Sequence, residues 1–213
     1  NGNGSFTATI DATADGLVTV DVAADVAFDD ASNPNVAANQ FSIVVDTTAL
    51  VPTITGPASP TSGDPFAVTI DFGEAVSGFV LGDVSVGGGM AIDLVDNGNG
   101  SFTLTIDATA DGLVTVDVAA DVAVDGAGNP NVAATQLSIV VDSTAPTPTI
   151  TGPASPTSSD PFAVTIDFVE TVSSFAIDDV SVGGGTAIEL VDNGNGSFTA
   201  MIDATADGLV TVD

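Results

Sequence analysis

No lysine, arginine or histidine occurs in the chain, which has 29 Asp plus Glu among 213 residues and a net charge of −29. Without a basic side chain there is no internal salt bridge, so the charge is offset only by dissolved salt or by bound cations. The lack of Lys and Arg excludes direct nucleic-acid binding, which draws its affinity from those side chains on phosphates. It also disfavours anionic membrane surfaces. Cysteine is absent as well, which removes disulfides and thiolate metal sites. No window holds the roughly 18 uninterrupted apolar residues of a membrane span, so no membrane insertion is expected of this segment.

The same gaps weigh against catalysis. With no His, Lys, Cys or Tyr, the acid–base inventory reduces to carboxylates, and a Ser or Thr nucleophile has no conventional base. A carboxylate pair can cleave a glycoside, but there is no Trp or Tyr for a sugar to stack on. The chain is not expected to be an enzyme.

What is present is apolar and repetitive. Hydrophobic residues make up 44% of the chain, enough for ordered cores despite the charge. Asn-Gly-Asn-Gly-Ser-Phe-Thr begins at residues 1, 97 and 193, a period of 96, and residues 1–117 differ from 97–213 at only 20 of 117 positions. That period is too long for a solenoid unit and suits an independent domain of about a hundred residues. The junctions lie at Asp46-Thr47-Thr48-Ala49-Leu50 and Asp142-Ser143-Thr144-Ala145-Pro146. Residues 1–46 are then the back half of one copy, 47–142 a complete copy and 143–213 the front three-quarters of a third. Both ends fall inside a copy, as expected of a window onto a longer repetitive chain.

Within the complete copy the apolar period is two. Phe66, Val68, Ile70 and Phe72 alternate with small or polar residues, as do Phe102, Leu104 and Ile106, and Val114, Val116 and Val118. Seven strands are predicted, at about 51–55, 66–72, 82–87, 91–96, 101–107, 112–119 and 136–142, separated by Gly, Pro, Asn and Asp clusters. This is the signature of an all-β, two-sheet sandwich. The one place for a helical turn is Glu74 to Phe79. An odd number of antiparallel strands puts entrance and exit at opposite poles, so copies chain head to tail.

The same parity sorts the loops. The entrance pole gathers Asp46, the turn bearing Glu74, and the loop from Asp121 to Asn131, which includes Asp125 and Asn129. Across the joint, the exit pole of the preceding copy offers Asp11 and Asp15. Carboxylates forced together without a basic residue repel one another, and a hard cation taking 6–8 oxygen ligands, Ca²⁺, reverses the sign of that interaction. The lack of His and Cys argues against zinc or copper. At the second joint Asp142 is expected to meet Glu170. Because the third copy stops before its sixth–seventh loop, coordination is expected to be better at Asp46 than at Asp142. Competing with this reading, the acids act as plain solvating charge, as at Asp71 and Asp117 on outward strand positions. Asp107 and Asp111 read as part of an Ala-Asp-Gly turn, Asp96 to Gly100 as a hairpin loop, and Gly87-Gly88-Gly89 as a turn.

Three motifs in this order carry a resemblance: the Asp-(Ser/Thr)-Thr-Ala-Pro opening, Asp71-Phe72-Gly73-Glu74-Ala75-Val76 followed by Phe79, and Asp125-Gly126-Ala127-Gly128-Asn129 before the last strand. The chain resembles the bacterial Ig-like repeats of large secreted adhesins and surface proteins. The first joint departs from the pattern in having Leu50 for Pro, and residues 29–33 lack the second glycine. The resemblance implies tandem seven-stranded Ig-like sandwiches in an extracellular array, often stiffened by Ca²⁺ between domains as in cadherins. The expected function is extension, as a stalk or a filament, with neighbouring repeats, and identical chains in a filament, as partners. The alternative is a glycan- or ice-binding module of a surface adhesin; the Thr positions are few and interrupted by acids, which counts against ice.

Overall fold

The computed structural model describes residues 4–213, so Asn1 to Asn3 of the first heptapeptide lie outside the described residues. It divides into two compact units, Asn1–Ser143 and Thr144–Asp213. The first unit holds β1 (Gly16–Val20), β2 (Phe41–Val45), β3 (Thr53–Thr55), β4 (Phe66–Asp71), β5 (Val84–Gly87), β6 (Gly89–Gly98), β7 (Ser101–Ala108), β8 (Gly112–Val118) and β9 (Leu137–Val141). β1 and β2 pair antiparallel within the half copy. The other seven make the complete copy, in sheets ordered β3-β4-β7-β6 and β5-β8-β9. Four and three strands in this order are the constant-type arrangement of the Ig sandwich.

The alternating pattern explains why these segments are strands. Val68 and Ile70 on β4, Leu104 and Ile106 on β7, Val114 and Val116 on β8, and Ile139 and Val141 on β9 are all buried, with neighbours between them turned outward. Branched side chains at every second position fit a half-buried pleated surface and would waste half their apolar area on a helix. At the entrance pole, Phe72, Phe79 and Phe102 meet edge to face, with ring centroids 5.0–6.0 Å apart. Edge-to-face packing places the positive ring edge on a negative ring face, which adds to the burial term. Phe72 and Phe79 thereby anchor both ends of the turn that carries Glu74.

The β6–β7 hairpin closes through Asn99 and Gly100, both at positive φ (56° and 80°), the two-residue turn whose twist matches paired strands. One expectation is corrected. The helical turn falls at Leu81–Asp83, not at Glu74–Phe79. There the Asp83 carboxylate accepts from the Val80 N–H at 2.8 Å and caps a short 3₁₀ turn, whereas Gly73 and Gly78, both at positive φ, break helical geometry on either side of residues 74–77.

The second unit repeats the plan with β10 (Thr149–Thr151), β11 (Phe162–Asp167), β12 (Val182–Gly183), β13 (Gly185–Gly194), β14 (Ser197–Ala204) and β15 (Thr211–Val212). Its sheets are ordered β10-β11-β14-β13 and β12-β15. Its core centres on Val164, Ile166, Phe198, Ala200 and Ile202, and Phe168, Phe175 and Phe198 reproduce the aromatic triangle. Among the described residues no helix is long and apolar enough to cross a membrane.

Candidate cation site at the first joint

The loop between β8 and β9 is organised by two side chains that bind their own backbone. Asn131, 2% exposed, accepts from the Val122 and Ala123 N–H groups at 2.9 Å and donates to the Ala119 and Val132 carbonyls at 2.7 and 2.8 Å. Its amide is fully satisfied, which is what permits a polar side chain in this position. Asp125, 5% exposed, accepts through Oδ1 from the Ala127 and Asn129 N–H groups, both at 2.8 Å, and through Oδ2 from Asn129 Nδ2 at 2.9 Å. The Asn129 side chain holds the Asp125 carboxyl below the usual carboxylate range, outweighing burial, which pushes it up.

The half copy builds the same loop without either glycine, with Asp30 for Gly126 and Ser32 for Gly128. Asp29 accepts from Ala31 and Asn33 N–H at 2.9 and 2.8 Å, and from Asn33 Nδ2 at 2.9 Å. Ser32 adopts φ 66° where Gly128 has 94°. The sequence departure at residues 29–33 therefore leaves the hydrogen-bond pattern intact.

Two more carboxylates reach this loop. Asp46, half-buried in the linker, accepts from the Thr48 N–H at 3.1 Å, and its backbone carbonyl accepts from Asn129 Nδ2 at 3.1 Å. Glu74 stands exposed on the turn after β4, a turn tied to the β6–β7 hairpin by the Phe72 N–H donating to the Gly100 carbonyl at 3.0 Å. One oxygen each from Asp46, Glu74 and Asp125 lies within 4.8 Å of the others. Three anions at that separation, with no cationic side chain in the chain, offer oxygen donors of the kind a hard divalent cation takes. Exposed acidic groups also occur together without any ion.

Of the other expected site residues, Asn129 touches both Asp46 and Asp125 and works as the crosslink between linker and loop. Asp121 does not join the three: it is exposed at φ 63°, where its N–H donates to the Asn131 carbonyl. Asp142 follows β9 in the first unit, its N–H donating to the Thr61 carbonyl. Glu170 sits on the turn after β11 in the second unit, with its backbone against Gly196. Asp15, expected across the joint from these acids, accepts from Thr47 and Thr48, the two linker residues that follow Asp46. The bonding roles of Asn131 and Asn35 are not evident from the sequence; their signal is the Asn-Pro-Asn triplet at 129–131 and 33–35. Asn35 repeats the four bonds of Asn131, to Val26, Ala27, Ala23 and Val36.

A family model described as bacterial Ig-like domain matches residues 46–141 and again 142–212. No curated protein matches the chain. The two matched segments meet at the second junction, and each begins on the acid that opens a linker, Asp46 or Asp142. Together with the four-plus-three sheet order, these matches show that the chain belongs to the bacterial Ig-like domain family and carries the domain in tandem.

Proposed function

We propose that the chain is a structural part of an extracellular repeat array, a stalk or filament whose task is to extend, with Ca²⁺ held at the joint by Asp46, Glu74 and Asp125. The observation that carries the reading is the meeting of those three carboxylates where a linker enters a new domain, in a chain with no basic side chain. Asp46 belongs to the linker, Glu74 to the turn after β4, and Asp125 to the β8–β9 loop. A bound divalent cation supplies the positive charge that the sequence withholds. Asp125 and Asn129 fix the loop, Asp46 follows through its contact with Asn129, and Glu74 closes the third side. Bound this way, the linker is tied to the body of the domain that follows it. The role is mechanical, not catalytic.

Calorimetric titration of the 213-residue chain with Ca²⁺ after EDTA treatment tests this. The expected result is a saturable site that Glu74→Gln weakens. Heats that show no saturation, or binding equal in native and Glu74→Gln chains, would reduce the acids to solvating charge.

A further inference from the structure

The linker at the first joint is bonded in both directions by hydrogen bonds that need no ion. Forward, the Asp46 carbonyl accepts from Asn129 Nδ2, and the Leu50 carbonyl accepts from the Val132 N–H at 2.8 Å, with Leu50 itself only 3% exposed in the core of the following copy. Backward, Asp15 lies in the Ala-Asp-Gly turn that precedes β1 in the half copy. Its Oδ1 accepts from the Thr47 N–H at 3.0 Å and the Thr47 hydroxyl at 2.8 Å, and its Oδ2 accepts from the Thr48 hydroxyl at 2.5 Å. An ionised carboxylate taking three donors from two successive residues fixes both the position and the rotation of that segment.

The arrangement recurs one period later. Asp111, in the corresponding turn before β8, accepts from the Ser143 N–H at 2.9 Å and the Ser143 hydroxyl at 2.8 Å. Thr47 has become Ser143, keeping the hydroxyl, while Leu50 has become Pro146 and Val51 has become Thr147. In both turns the glycine after the acid sits at positive φ, 131° at Gly16 and 135° at Gly112. The turn thus serves the carboxylate's direction as well as the strand reversal.

We infer that Asp15 and Asp111 are positioning residues of the joints, each latching the hydroxyl-bearing start of a linker to the copy behind it without a metal ion. At the first joint the latch sets the direction in which the complete copy leaves the half copy. The three-carboxylate group uses Asp46, Glu74 and Asp125, whereas the latch uses Asp15 or Asp111 with linker hydroxyls. At the first joint the two sets meet at Thr48, whose N–H goes to Asp46 and whose hydroxyl goes to Asp15. The inference does not rest on Ca²⁺ binding.

The experiment uses the full chain in EDTA, with one spin label on the half copy and one on the complete copy. The native chain is expected to give a distance distribution that the latch holds narrow in EDTA and that Ca²⁺ narrows further. Asp15→Ala, and Thr47→Val with Thr48→Val, should both broaden it, while Thr47→Ser with Thr48→Ser should keep it narrow. Melting of the complete copy should be the same in all of these, because the latch lies outside its core. Equal widths for native and Asp15→Ala chains in EDTA would overturn the inference. So would broadening in the Ser variants, which retain the hydroxyls. If Ca²⁺ changes nothing in the native chain but Asp15→Ala still broadens the distribution, the cation reading fails and the latch stands.

Discussion

Gly100 lies against the backbone carbonyl of Glu74 so closely that a Cβ at position 100 would overlap that oxygen. Gly100 also has φ 80°, in the region where a side chain is strained. The hairpin and the acidic turn are therefore one packed object, and Gly100→Ala must move Glu74 or open the β6–β7 turn. A destabilisation of about 1–3 kcal/mol is expected from the backbone strain alone, read by chemical denaturation, together with weaker Ca²⁺ binding. An unchanged midpoint would show that the turn gives way at no cost.

The second unit offers the converse experiment. Val169 occupies the position of Gly73 and sits at φ 68°, a region that β-branched residues avoid. Val169→Gly is expected to stabilise the second unit by ~1 kcal/mol, the relief of a strained left-handed residue less the entropy cost of glycine. Gly73→Val should lower the stability of the first unit by a similar amount. A denaturation series on both variants reads the two signs.

Asn131→Ala removes a buried amide that satisfies four backbone groups. Leaving such groups without partners costs about 1–3 kcal/mol each before water compensates, so the loop carrying Asp125 should lose its protection against hydrogen exchange. Asn97→Ala is the control. It loses only the exposed link to Thr103 and is expected to stay within about 0.5 kcal/mol of the native chain.

Acid should unfold this loop early. The Asp125 carboxyl is held below its ordinary 3.8 by Asn129, so the folded state binds its proton less readily than the unfolded state. Its contribution is complete above that ordinary value and is lost as pH falls through the lower folded one. Plotted against pH, melting of the native chain should drop below about pH 4, and that part of the slope should be missing in Asp125→Asn. Parallel curves for the two chains would contradict the assignment.

The strand plan was legible because its cause is local. Branched and aromatic residues at every second position define β4, β7 and β8, and strand parity alone places Asp46, Glu74 and the β8–β9 loop at one pole. What the sequence did not disclose depends on side chains folding back onto backbone. Asn131 reads as one more polar loop residue until its four bonds are seen. Asp15 reads as an acid offered across the joint, and Asp111 as a turn acid, because nothing in Ala-Asp-Gly says that the carboxylate takes the hydroxyls at the start of the next linker. The 3₁₀ turn was placed several residues early, since the apolar pattern around Phe79 does not reveal that Gly73 and Gly78 are at positive φ. Asp121 shares the loop with Asp125, but its carboxylate is not among the three that meet.

On the proposed reading, a cation held by Asp46, Glu74 and Asp125 stiffens the joint. The most direct measurement is the width of the distance distribution between the half copy and the complete copy, in EDTA and in Ca²⁺. Ca²⁺ should narrow the distribution in the native chain and leave it unchanged in Glu74→Gln. A native distribution of the same width with and without Ca²⁺ would contradict it.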